Sequence, residues 1–269
     1  MAFVKITYPK PQVALVTLNR PDRMNAMAFD VMQPLKDELE KISFNADIRV
    51  VILTGAGSTF CAGADLQDPG YLPIFDGHTM PRIALRAMRV LDDVITTIRE
   101  MTQPVIAAIN GPAVGGGFCL AMAADLRIAS TSAFFRAAGI NNGLTSAELG
   151  LSYLLPRAIG ITRANDIMLT GRDVYAEEAE RFGIVSRVVA ENDLMTECET
   201  MADSILRHSH LGVEQSKVIL NASVDAGSLH GHMHHEGITQ LFVRMTTRNF
   251  EEAIKARKEG RAPEFDDQT

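Results

Sequence analysis

The feature that most constrains this chain is the stretch Met101–Ala124, twenty-four residues without a single charged side chain. A run of that length can cross a bilayer as a helix. Pro104, Asn110, Gly111, Pro112 and the triplet Gly115-Gly116-Gly117 all fall inside it and would break such a helix twice. A short buried strand over Pro104–Ile109, a glycine turn and a buried helix over Gly116–Ala124 account for every breaker. The stretch therefore belongs to the interior of a globular protein, and no membrane partner is expected. Hydrophobic residues at 46% and charged residues at 22% suit such an interior and exclude a disordered chain.

Strands and helices alternate around this segment. Gln12–Leu18 and Arg49–Thr54 are β-branched runs bounded by turn residues and predict strands. Between them, Val31, Leu35, Leu39 and Ile42 recur at helical spacing over Asp30–Ile42. Leu66–Pro81 holds three prolines and two glycines and predicts an irregular segment suited to covering a pocket. Ile83, Ala87, Val90, Val94, Ile98 and Met101 then trace a helix of about five turns. Further strands are expected at Leu126–Ala129, Ala133–Phe135 and Ile184–Val189, and helices at Leu151–Leu155, Arg163–Leu169 and Ala176–Phe182, the last closed by Gly183. After Asn192 only helices follow. The expected class is α/β, with a core over residues 1–190 and an all-helical segment over 191–269.

Charge and cysteine content narrow the setting. Lys+Arg 26 against Asp+Glu 33 gives a formal charge of −7, which argues against nucleic acid as the partner. Cys61, Cys119 and Cys198 are too few, and odd in number, to form a disulfide framework. The N-terminal MAFVKITYPKPQVALV lacks the pattern of a signal peptide, so a reducing cytoplasm is the expected location.

Two glycine loops carry the local signals. Thr54–Asp65 opens like a dinucleotide fingerprint, but Phe60 occupies the place of the third small residue. Asn110–Phe118 is rich in glycine but lacks the Lys-Ser/Thr of a phosphate loop. The first N–H groups of a helix have no internal partner, so the helix opening at Gly116 offers free donors and a positive dipole end. A second N–H from the Ala62–Asp65 loop would complete an oxyanion hole. The plainer alternative is that the glycines only allow the helix to pack tightly.

The succession of Asn19-Arg20-Pro21-Asp22-Arg23-Met24-Asn25-Ala26, Phe60-Cys61-Ala62-Gly63-Ala64-Asp65-Leu66 and Asn110-Gly111-Pro112-Ala113-Val114-Gly115-Gly116-Gly117 resembles the crotonase superfamily, in particular enoyl-CoA hydratases and isomerases. Gly143-Leu144, Leu155–Gly160, Leu169–Arg172 and Glu177 through Val185 extend the resemblance along nearly the whole chain. It implies a spiral of ββα units, C-terminal helices that build homotrimers or dimers of trimers, and a coenzyme A thioester as substrate. It implies no metal and no cofactor beyond the coenzyme A of the substrate. The N–H groups of Ala64 and Gly116 take the positions of the oxyanion donors. Arg23, Met24, Ala62, Asp65 and Leu66 take those that line coenzyme A.

Hydratases of this family usually carry two glutamates at the reacting carbons. Here the first position is Cys119 and the second falls in Ala137-Ala138-Gly139, so two-carboxylate water addition lacks its residues. Glu148 aligns with an acidic residue of several isomerases. A lone carboxylate can remove an α-proton and return it at the γ-carbon, which favours double-bond isomerisation. Hydration with Glu148 alone, and a non-catalytic acyl-CoA binder, are the alternatives. Glu148 could instead cap the helix near Leu151.

Cys119 is better read as a small buried residue than as a nucleophile, since no histidine occurs between His78 and His208. His230, His232, His234 and His235 have i,i+4 pairs on different helix sides, which suits a subunit contact or solvated face over a metal site. The family's usual C-terminal coenzyme A lysine aligns with Gly260, for which Lys258, Arg257 or Arg261 could substitute.

Overall fold

The computed structural model describes residues 2–266. Two antiparallel strands, β1 (Val4–Lys10) and β2 (Val13–Leu18), start a six-stranded sheet. β3 (Val50–Gly55), β4 (Val105–Ile109), β6 (Leu126–Ser130) and β9 (Arg187–Val189) extend it in parallel, in the order β1-β2-β3-β4-β6-β9. A smaller sheet joins β5 (Ala113–Val114), β7 (Phe134–Arg136) and β8 (Val174–Tyr175). β3 and β4 are buried along their whole length, as expected of parallel strands covered on both faces.

Helices cover the large sheet. On one face lie α1 (Phe29–Ser43), α2 (Met80–Glu100) and α3 (Gly116–Ala123), with Val31, Leu35, Leu39, Val94, Ile98 and all of α3 in the core. α4 (Leu151–Ile159), α5 (Ile161–Thr170) and α6 (Ala176–Phe182) continue that core. On the opposite face α7 (Leu194–Leu206) sets Leu194, Cys198 and Ala202 against Val13, Val50, Ile52, Ile106 and Ile128. α8 (His210–Ser223), α9 (Leu229–Thr246) and α10 (Asn249–Glu259) complete the described chain. Ser209 and Ser228 accept from Gly212 N and Gly231 N at 3.1 Å and cap α8 and α9. The architecture is α/β, as the sequence predicts, with helices at the C-terminal end. No helix among the described residues is long and apolar enough to cross a membrane. The Met101–Ala124 run is divided among β4, β5 and α3.

The structure corrects several expected boundaries. β1 went unassigned in the sequence; it is an edge strand that tolerates Pro9, and only β2 pairs with it. α2 begins at Met80 rather than near Ile83, with Pro81 in its first turn, where the missing N–H costs nothing. Ile184 does not enter a strand, because its N–H closes the end of α6 by donating to Ala179 O at 2.8 Å, with Gly183 left-handed at φ 87°. Pairing therefore begins only at Arg187.

Candidate active site

The two glycine loops are laced together by isolated parallel bridges. Cys61 N donates to Pro112 O at 3.1 Å, and Val114 N donates to Cys61 O at 3.0 Å. Met27 N donates to Gly63 O at 2.7 Å and Asp65 N donates to Met27 O at 3.0 Å. In such a bridge the residue between the bonded pair, here Ala64, turns its own amide to the other side. Gly116 is the first residue of α3, and Gly115 before it has φ 53° and no side chain to cap the helix. Among the described residues neither the Ala64 nor the Gly116 N–H has a protein acceptor. A Cβ on Gly63 would lie 3.4 Å from Gly116 N, so the loops meet at these amides.

At Gly63 and Gly117 a side chain larger than hydrogen would run into backbone, and at Gly116 into a neighbouring side chain. A Cβ on Gly117 would stand 2.1 Å from Cys61 O, and one on Gly116 2.2 Å from Met27 Sδ. The tight-packing reading and the donor reading are therefore compatible, since close approach is what aligns the amides.

Glu148 joins the same place. A Cβ on Gly115 would sit 3.5 Å from Glu148 Oε1, 3.8 Å from Ala138 Cβ and 3.9 Å from Gly63 Cα. The carboxylate is half-buried, and burial pushes it above the ordinary carboxylate range. It does not cap α4, whose N-cap is Gly150; only the Glu148 carbonyl takes part, accepting from Leu151 N at 2.8 Å. The next residue, Leu149, is buried with φ 45°, a left-handed conformation costly for a leucine.

Cys119 and Ala138 occupy the ground beside it. Cys119 is fully buried, and its thiol donates to Gly115 O at 3.3 Å and Glu148 O at 3.5 Å. Burial pushes the thiol well above its usual pKa, with the nearby Glu148 charge adding to the effect. That environment suits a packed thiol and removes the nucleophile reading.

The residues expected at coenzyme A separate into two groups. Met24 and Leu66 are exposed, and Ala62 is partly so. Asp65 is turned inward, its side chain only 4% exposed. It pairs with Arg23 at 2.5 Å and Arg20 at 3.1 Å and accepts from the Gln67 and Asp68 amides. The Arg23 hydrogen bond, with these amides, holds its pKa far below the usual range. Asp65 therefore fixes Arg23 and the loop and has no lone pair to spare for a ligand. Lys258 and Arg257 are exposed near the end of α10, and no bond among the described residues ties Lys258 to Arg23 or Leu66. Arg261 is held by Glu252 and Glu259 at 2.6 and 2.7 Å.

Asn25 is the residue that sequence reasoning missed. It is fully buried with φ 54°, donates to Ala56 O and Thr59 O at 2.9 and 2.7 Å, and accepts from Arg20 N. It clamps the Arg20–Ala26 turn to the first glycine loop. An amide side chain inside a motif otherwise assigned to ligand contact was the available signal. On α9, His232 reaches Glu236 at 3.5 Å and packs edge-on against His235. No cluster of three metal-binding side chains occurs among the described residues.

The family model for enoyl-CoA hydratase/isomerase matches residues 9–268. A probable enoyl-CoA hydratase of Mycobacterium bovis is 57% identical over 269 residues, covering all of this chain and 94% of that protein. The crystal structure of a probable enoyl-CoA hydratase/isomerase from Mycobacterium abscessus superposes with a TM-score of 0.94 at 58% identity, covering 99% of this chain and 100% of that one. A monofunctional enoyl-CoA isomerase from M. smegmatis superposes with a TM-score of 0.75 at 52% identity, covering 87% and 99%.

Proposed function

The chain belongs to the enoyl-CoA hydratase/isomerase family, and from that premise we propose that it moves the double bond of a 3-enoyl-CoA to the 2-position. The Ala64 and Gly116 amides receive the thioester oxygen. Glu148 takes a proton from the α-carbon, and the electrons of that C–H bond spread over a dienolate whose charge rests on the held oxygen. The same carboxylate then returns a proton to the γ-carbon, leaving the conjugated 2-enoyl thioester. Donors placed where charge develops supply the larger share of such a rate, and positioned proton transfer about 10²–10⁴ more.

The observation that carries this reading is the pairing of Glu148 with two protein-filled sites. Cys119 is sealed against backbone carbonyls, and the Ala137-Ala138-Gly139 turn offers only a methyl group. Water addition needs a group to orient and deprotonate water at the β-carbon, and neither position holds one. A raised pKa also suits Glu148 to act as a base near neutrality. Arg23, Met24, Ala62 and Leu66 border the coenzyme A, with Asp65 as the anchor behind them and Lys258 reaching it from a neighbouring subunit. The chains assemble as trimers or dimers of trimers in the cytoplasm, through the exposed apolar side chains of α9, including Leu229, Ile238, Leu241 and Met245.

The name of the M. bovis relative favours the second reading, hydration of 2-enoyl-CoA with Glu148 as the only carboxylate. A panel of 2-enoyl, 3-enoyl and saturated thioesters separates the two. Isomerisation predicts growth of the conjugated-thioester absorbance from 3-enoyl-CoA alone, abolished in Glu148→Gln. Loss of that absorbance from 2-enoyl-CoA establishes hydration, and no turnover of any substrate leaves a binding protein.

A further inference from the structure

The first half of α2 combines features that the proposed chemistry does not use. Arg82, Arg86 and Arg89 stand at i, i+4 and i+7, so they form one stripe along the helix, and all three are exposed. From Gly77 to Leu91 there is no aspartate or glutamate, although the chain as a whole carries −7. None of the three arginines has an ion-pair partner among the described residues. Arg187, Arg244 and Arg261 are paired with Glu197, Glu251 and Glu252, whereas the other exposed arginines without an ion-pair partner among the described residues, such as Arg157, Arg163, Arg207, Arg248 and Arg257, do not stand three to one helix stripe.

Apolar side chains accompany the stripe. Met80 is 75% and Leu85 77% exposed, Met88 is exposed between Arg86 and Arg89, and Tyr71 and Ile74 project from the preceding loop. Exposed residues of this kind are costly together on a surface that stays in water. An acidic protein would answer the arginines and leave the leucine and methionines at its rim. A bilayer answers both, with phosphate headgroups for the guanidinium groups and the acyl boundary for the apolar side chains.

We propose that the Arg82–Arg86–Arg89 face of α2 is a docking surface for an anionic lipid bilayer. The expectation of no membrane partner rested on the absence of a span, and a peripheral contact needs none. Attraction of basic side chains to an anionic leaflet reaches only about a Debye length, ~8 Å at physiological salt, so the helix must lie against the surface. This inference is independent of the isomerase reading, and either can fail alone.

Co-sedimentation of the whole protein with vesicles tests it. Vesicles of one part phosphatidylglycerol to two parts phosphatidylcholine should carry the wild-type protein down at low salt and release it as salt rises, and phosphatidylcholine alone should not. The triple variant R82E/R86E/R89E should partition at least roughly a hundredfold less, while turning over a short, water-soluble thioester at the wild-type rate. Wild-type protein that stays in solution with anionic vesicles overturns the proposal, as does equal sedimentation with both lipids. So does a triple variant that binds undiminished. Capture by soluble polyglutamate without vesicle binding also overturns it and assigns the stripe to an acidic protein. Should the variant not fold, the salt and lipid comparisons on the wild type still decide.

Discussion

The glycine-loop junction and helix α9 show two opposite ways of using glycine and exposure. At the junction Gly63, Gly116 and Gly117 are pressed against backbone or side chain, and α3 behind them is wholly buried. In α9 no residue is buried, and a Cβ on Gly237 would meet nothing within 4 Å. α8 lies between the extremes. Its one buried residue, Lys217, donates to Ile98 O, Gln103 O and Asp125 and pins the helix to the core. The first region is complete within one chain; the second has an apolar face with no partner in the same chain. The fold thus builds its candidate site from one chain's core and leaves its outer helices exposed.

Substitutions can break that contrast at either end. Glu148→Gln removes the carboxylate beside Gly115 and should lower kcat with 3-enoyl-CoA by about 10²–10⁴, with unfolding unchanged. Steady-state kinetics beside a thermal melt check both halves. Asp65→Ala strands buried Arg20 and should cost about 3–5 kcal/mol in denaturant unfolding. Because its folded pKa is depressed, the Asp65 contribution is fully present above the ordinary carboxylate pKa. It is lost as pH falls toward the lowered value, so the variant and wild type should converge in strong acid.

Gly117→Ala drives a methyl group into the backbone carbonyl of Cys61 and should displace the adjoining Gly116 amide, lowering kcat/KM by about 10²–10³. The raised pKa of Glu148 has its own signature. Only the ionised form is a base, so the rate should fall as pH drops, with an acid limb above the ordinary carboxylate range. That limb should disappear in Glu148→Gln. The smallest effect lies in α9, where Gly237→Ala should stabilise the chain by roughly 0.5–1 kcal/mol through helix propensity alone. A destabilised Gly237→Ala would mean that a neighbouring chain packs against that glycine.

Much of this was legible because backbone chemistry leaves strong marks in sequence. The breakers within Met101–Ala124 could be reconciled only by a strand, a turn and a helix, and the helix indeed opens at Gly116. Glu148 could be singled out because the other two family positions hold Cys119 and Ala137–Gly139. The edge strand β1 was not legible, since half of its residues face solvent and Pro9 masks its pattern. Nor was the inward turn of Asp65, because a carboxylate beside a ligand loop looks the same in sequence whether it meets the ligand or two arginines. The left-handed Met24, Asn25 and Leu149 were invisible for a related reason. Tertiary contacts impose those conformations, and no glycine announces them.

The account depends on one carboxylate that removes and restores the same proton while two amides hold the oxygen. Its most direct test is mass spectrometry of the product formed from 3-enoyl-CoA deuterated at the α-carbon. The prediction is a 2-enoyl-CoA that keeps deuterium at the γ-carbon in a measurable share of turnovers. A product heavier by one water, or turnover undiminished in Glu148→Gln, would contradict it.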